Sequence, residues 1–158
     1  PITGGRNEGA YIDDDLHQIV TAGMCESSIY PDNHVGLNLW TPEAQANAAS
    51  YRIVEWIDMI PDDKMFDRVV TLVLQGIPVC VAYDWWSHAV TAIGVVLLPN
   101  GRFGLVCRNS WGGGYGDNGF FVLEEGKGTP NEAYAPRGIY ARGVNTAFFP
   151  SPTPTLAV

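Results

Sequence analysis

The run Ser87-His88-Ala89-Val90-Thr91-Ala92-Ile93-Gly94-Val95-Val96-Leu97-Leu98 decides how the chain is read, together with Pro99-Asn100-Gly101 and Phe103-Gly104-Leu105-Val106-Cys107-Arg108-Asn109-Ser110-Trp111-Gly112 after it. A histidine opens a long apolar run rich in β-branched residues. Turn-forming residues interrupt it, and a second apolar run ends at Asn109. The pattern predicts two antiparallel strands joined by a tight turn. Both strands rise ~3.4 Å per residue, so His88 and Asn109 are expected to meet at one end of the ladder. An imidazole and an amide at neighbouring strand ends, beside Trp111 and the glycine-rich loop that follows, suggest a general base held by an orienting partner.

Two motifs carry a resemblance: Ser87-His88-Ala89-Val90, and Asn109-Ser110-Trp111-Gly112-x-x-Tyr115-Gly116-x-x-Gly119-Phe120. With the strand, turn and strand between them, they resemble the C-terminal part of the papain-like cysteine peptidases. The family has Trp where this chain has Tyr115. Weaker similarity reaches Gly4-Gly5, Glu26 to Pro31 and Gly138-Ile139-Tyr140. The resemblance implies an α+β fold: a C-terminal antiparallel β-barrel-like subdomain with a few flanking helices over residues 1–149, followed by a Pro-rich extended tail at 150–158.

The resemblance also implies roles. His88 is the general base and Asn109 orients it, the Cys-His-Asn variant of triad chemistry. Trp111 would lie over their hydrogen bond, with Ser110 supporting the site. Gly4, Gly5, Ala89 and Arg142 are implied as substrate contacts. Arg142 falls at the floor of the pocket for the side chain two before the scissile bond, where a guanidinium would favour Glu or Asp.

The family's nucleophile motif, Gln-Gly-x-Cys-Gly-x-Cys-Trp at the start of a long helix, is absent. Cys25, Cys80 and Cys107 are the chain's three cysteines. Cys107 and Cys80 sit inside apolar strands and read as core residues. Cys25 follows the end of a helix, a place the family keeps remote from its cleft. None heads a long helix, where the dipole would favour a thiolate. Arg137 stands where the family often has a cysteine, and the segment that usually carries that cysteine's partner is cut to residues 83–87. The two ends of a family disulfide are therefore both missing.

An odd number of unclustered cysteines argues against a disulfide scaffold or a zinc cluster and favours a reducing compartment. No metal or other cofactor is expected. A net charge of −8 without a basic run excludes a phosphate-tracking nucleic-acid surface. No apolar run approaches the ~20 residues of a membrane span, and no signal peptide is expected.

Elsewhere, Asp13-Asp14-Asp15 opens a helix through Ala22 closed by Gly23; the triplet reads as a helix start rather than a metal site. His17 reads as a surface or partly packed residue. Tyr30 to Thr41 reads as loop, and Thr41-Pro42-Glu43 starts a second helix. Ser50 to Ile60 fits helix or strand by pattern; the resemblance favours strand. Asp62 and Asp63 are expected to cap a helix with Phe66, Val69, Val70 and Val73 inward, ending at Gly76. Pro78 to Tyr83 is a short buried strand. Strand is expected to Glu124, an irregular stretch from Glu125 to Arg137, and short strands at 139–142 and 145–149.

Two functions follow. In the first, the chain supplies His88 and Asn109 to a peptidase whose thiol lies on a separate or cleaved N-terminal chain, with a peptide as substrate. In the second, it is a non-catalytic structural or interaction module derived from such a peptidase, docked on another protein subunit. A rearranged hydrolase using Cys25 or Cys107 is the disfavoured third.

Overall fold

The computed structural model describes residues 9–31, 34–142 and 144–147. Gly4, Gly5 and the tail from 150 to 158 lie outside them. The chain divides into two compact units, one of residues 1–56 and 136–149, the other of residues 57–135 with 150–158.

In the first unit, α1 (Ile12–Thr21) carries Asp13, Asp14 and Asp15 in its opening turn, where the helix dipole favours negative charge. His17 is exposed and meets the Trp56 ring edge-on at 6.5 Å. The loop expected up to Thr41 contains a short 3-10 turn at Leu37–Leu39. Thr41 caps α2 (Pro42–Ala48) by accepting the Ala44 N–H at 3.2 Å, with Pro42 in the first turn. The ambiguous stretch is a strand, β1 (Tyr51–Asp58).

The second unit holds the candidate site. Its helix α3 (Met65–Leu74) buries Met65, Phe66, Val69, Val70, Leu72 and Val73. Asp62 does not cap this helix, because Lys64 occupies the N-cap position. Instead Asp62 accepts the Lys64 N–H at 2.8 Å and pairs with Arg68 at 2.7 Å. The Arg68 hydrogen bond holds the Asp62 carboxyl below its usual range. Gly76 ends the helix: its N–H reaches the Val73 carbonyl, and the Ile77 N–H the Leu72 carbonyl.

The sheet follows: β2 (Val79–Tyr83), β3 (His88–Leu97), β4 (Phe103–Arg108), β5 (Phe120–Glu124) and β6 (Glu132–Ala141), of which residues 132–135 belong to this unit. All pairings in it are antiparallel: β6 pairs β2, β2 pairs β3, β3 pairs β4, and β4 pairs β5. The protein is α+β, and the sheet is open rather than closed into a barrel.

Directly paired residues share a face. Val79↔Ala92, Val81↔Val90 and Ala92↔Cys107 therefore put Val79, Val81, Val90, Ala92 and Cys107 on one face, all buried. These residues and the apolar side of α3 form the unit's core. Each large side chain buried there contributes about 1.5–3 kcal/mol relative to exposure. Cys80, expected in the core, lies on the other, half-buried face of β2.

The irregular stretch expected from Glu125 to Arg137 is shorter than that, because β6 begins at Glu132. Pro136 made it read as loop, yet it lies beyond Tyr134, the last residue β2 pairs, where no donor to that strand is needed. The strand ends at Ala141, so Arg142 stands in a turn. A last strand, β7 (Val144–Ala147), pairs back on β6. Residues 148 and 149 of the strand expected at 145–149 lie outside the described residues.

Candidate active site

His88 is the first residue of β3, directly paired with Tyr83 at the end of β2. Asn109 is the residue after β4, on the face that holds Cys107 two positions earlier. A bulge at Ile93 shifts the β3–β4 register by one residue. The loop from Gly112 to Gly119 ties Asn109 down, because the Asn109 N–H donates to the Gly119 carbonyl at 2.9 Å. Asn118 and Gly119, with φ of +54° and +87°, form the two-residue turn that lets Asp117 and Phe120 pair. Arg108 braces that turn, donating to the Asn118 carbonyl at 2.9 Å with its guanidinium 4.6 Å from the Phe120 ring centre.

The expected pair is formed. His88 Nε2 lies 2.9 Å from Asn109 Oδ1, and the Ser110 backbone N–H donates to the same atom at 2.8 Å. An atom that accepts from a backbone N–H is the amide oxygen, so Nε2 must carry the ring proton. In the neutral ring Nδ1 then holds the lone pair and can take up a proton. Asn109 is 3% exposed, and its Nδ2 has no partner among the described residues.

Trp111 stacks on the imidazole with centroids 4.5 Å apart and planes at 29°. That ring covers a face of the imidazole, while 54% of Trp111 is exposed. Tyr115, where the family has Trp, still meets Trp111 edge-on at 5.0 Å and Phe121 at 5.5 Å.

Ser110 contributes through its backbone N–H. Ala89 pairs with Ala82, so its side chain is on the face opposite His88. Arg142 is exposed and belongs to the other unit. Gly4 and Gly5 lie outside the described residues. Sequence reasoning missed Trp86, whose ring centre is 4.8 Å from the His88 ring. The available signal was a Trp pair, Trp85-Trp86, two positions before the histidine.

Two of the three thiols are raised rather than lowered. Burial pushes Cys107 up to about 12, the reverse of what a nucleophile needs. Cys25 is also raised, by burial and then by Glu26, and its thiol donates to Asn47 Oδ1 at 3.3 Å. Among the described residues no cluster of three His, Cys, Asp or Glu could hold a metal ion, and no helix is long and apolar enough to cross a membrane. Arg137, in the family's cysteine position, pairs with Glu55 at 3.1 Å.

No protein-family model matches the sequence, and no curated protein matches it. Solved structures do. Digestive procathepsin L 3 from Tenebrio molitor larval midgut is similar at a TM-score of 0.67 and 22% identity, over 81% of this chain and 48% of that one. Bromelain from Ananas comosus in complex with the E64 inhibitor gives 0.64 and 21%, over 81% and 69%. The recombinant stem bromelain precursor gives 0.65 and 21%, over 81% and 49%. This chain thus spans about half of the procathepsin and of the bromelain precursor. At such identities the likeness shows the fold, which is that of the C-terminal part of papain-like cysteine proteases.

Proposed function

We propose that the chain is the base-bearing part of a papain-like thiol peptidase, with the nucleophilic cysteine supplied by an N-terminal part on a separate or cleaved chain. The observation that carries this is the 2.9 Å His88 Nε2–Asn109 Oδ1 bond, with Trp111 stacked on the imidazole. It sets the tautomer in which Nδ1 takes the thiol proton and later returns it to the leaving amine. The buried Asn109 Nδ2 is a donor available to an acceptor from such a part.

In this reading the substrate is a peptide. Gly4, Gly5, Ala89 and Arg142 remain candidate contacts on the resemblance. A peptide-library profile of wild type against Arg142→Leu separates an acid-selecting residue from a plain turn charge.

The test is made on native material containing the chain. Intact mass and sequencing identify any co-purifying chain, and a fluorogenic peptide reports hydrolysis. The proposal expects a second chain with a Gln-x-x-x-Cys-x-x-Cys-Trp type of motif, and turnover abolished by a thiol-alkylating reagent and by His88→Ala. Native material with neither cysteine partner nor turnover overturns it. That outcome selects the second reading, a non-catalytic interaction module, which is favoured by the raised thiols of Cys25 and Cys107.

A further inference from the structure

Trp86 makes more ring contacts around the candidate base than any motif residue of the resemblance, and it is not one of them. Its centroid lies 4.8 Å from His88, 5.5 Å from Trp111, 5.5 Å from Phe121 and 5.6 Å from Trp85. Trp111 lies 4.5 Å from His88 and nearly parallel to it, so it covers a face of the imidazole. The Trp86 plane stands at 66° to the imidazole's, an edge-type contact beside the stacked Trp111. One ring opposes tilting of the imidazole, and the other opposes its sideways swing.

The turn that carries Trp86 is fixed from several sides. The Asp84 N–H donates to Asn131 Oδ1 at 2.9 Å. The Trp86 N–H reaches the Tyr83 carbonyl at 3.1 Å, and the Ser87 N–H the Asp84 carbonyl at 3.2 Å. Ser87 holds φ at +49°, a left-handed conformation that a serine keeps only where its surroundings impose it. This uncommon backbone sits between Trp86 and His88, where it sets the direction of one ring relative to the other.

We propose that Trp86 is a positioning residue for His88: standing at the edge of the imidazole, it keeps Nε2–H on Asn109 Oδ1 and leaves Nδ1 as the nitrogen that accepts a proton. The importance of that nitrogen rests on the reading of His88 as a base; the geometric claim can be tested without turnover.

The test uses the whole chain with ¹⁵N-labelled histidine and reads the His88 Nε2–H signal and its exchange with water. Wild type is expected to show a protected, hydrogen-bonded Nε2–H. Trp86→Ala should speed its exchange about tenfold, the effect of losing one ordinary hydrogen bond. Trp86→Phe, which restores a flat ring at the edge, should recover most of the protection, and Trp85→Ala should leave it unchanged. Trp86→Leu carries the test if the alanine variant does not fold, with amide dispersion as the folding check; it should lose protection as Trp86→Ala does.

Wild-type exchange in a folded Trp86→Ala or Trp86→Leu overturns the proposal, as does equal loss in Trp86→Phe. The two readings fail separately. The expected Trp86 pattern in material without turnover sinks the peptidase reading and keeps this one. An active peptidase indifferent to Trp86→Ala does the opposite.

Discussion

Asn109 Oδ1 accepts two hydrogen bonds at once, from His88 Nε2–H at 2.9 Å and from the Ser110 backbone N–H at 2.8 Å. The backbone bond fixes which way the amide faces, and the amide fixes which imidazole nitrogen is free. An amide that does not itself ionise thereby sets the tautomer of the imidazole beside it.

The first expectation concerns that division of labour. In an assembled peptidase, His88→Ala should remove nearly all hydrolysis. Asn109→Ala should leave a reduced but measurable rate, lower by about 10²–10⁴-fold, because the base survives in a poorly fixed orientation. Steady-state kinetics on one peptide decides it, and equal losses in the two variants would contradict the orienting role.

Alkaline stability provides a second expectation. Burial raises Cys107 from 9.0 to about 12 and also raises Tyr83. Below pH 9 the Cys107 thiol is neutral in both folded and unfolded chains, so its contribution to stability is fully present there. Between pH 9 and about 12 only the unfolded chain gives up the proton, and stability falls as pH rises. Denaturant midpoints should therefore drop over this window, and less steeply in Cys107→Ala. The folded wild type should also leave Cys107 unmodified by thiol reagents at neutral pH, with reaction appearing on unfolding.

Two glycines should respond very differently to the same change. Gly23 has φ +88°, and a Cβ there would fall 1.9 Å from the Ala48 carbonyl oxygen. Gly76 has φ +81° with open space around it. Gly76→Ala should cost about 1 kcal/mol, the backbone strain alone. Gly23→Ala should cost about 3 kcal/mol or more, since backbone must move as well. Urea unfolding compares them, and similar losses would rule out the close approach at Gly23.

Tyr83→Phe tests the support behind the site. The buried Tyr83 hydroxyl donates to the Gly128 carbonyl at 3.1 Å. Removing it leaves that carbonyl without its donor and should cost about 1–3 kcal/mol. It should also raise amide exchange around Gly128 and Asn131, the segment that holds the Trp86 turn. Unchanged exchange there would mean the hydroxyl does not restrain this loop.

The sequence by itself determined the hairpin, and with it the pairing of His88 with Asn109. Two apolar runs, a Pro-Asn-Gly turn and strands of nearly fixed rise leave few ways to close the ladder. It also determined α2, through Thr41-Pro42, and the helix end at Gly76, because capping is local chemistry. Tertiary structure decided what depends on distant partners. The helix Met65 to Leu74 starts after Lys64 without a side-chain cap, and Asp62 is held by Arg68. Glu132 to Tyr134 is strand despite the flanking Pro130 and Pro136 because β2 supplies the pairing, a contact about fifty residues away that no local pattern encodes. Trp86 reaches His88 only through the left-handed Ser87 and a turn held by Asn131. A serine in that conformation looks like any other serine in the sequence, because the strain exists only once the surrounding residues impose it.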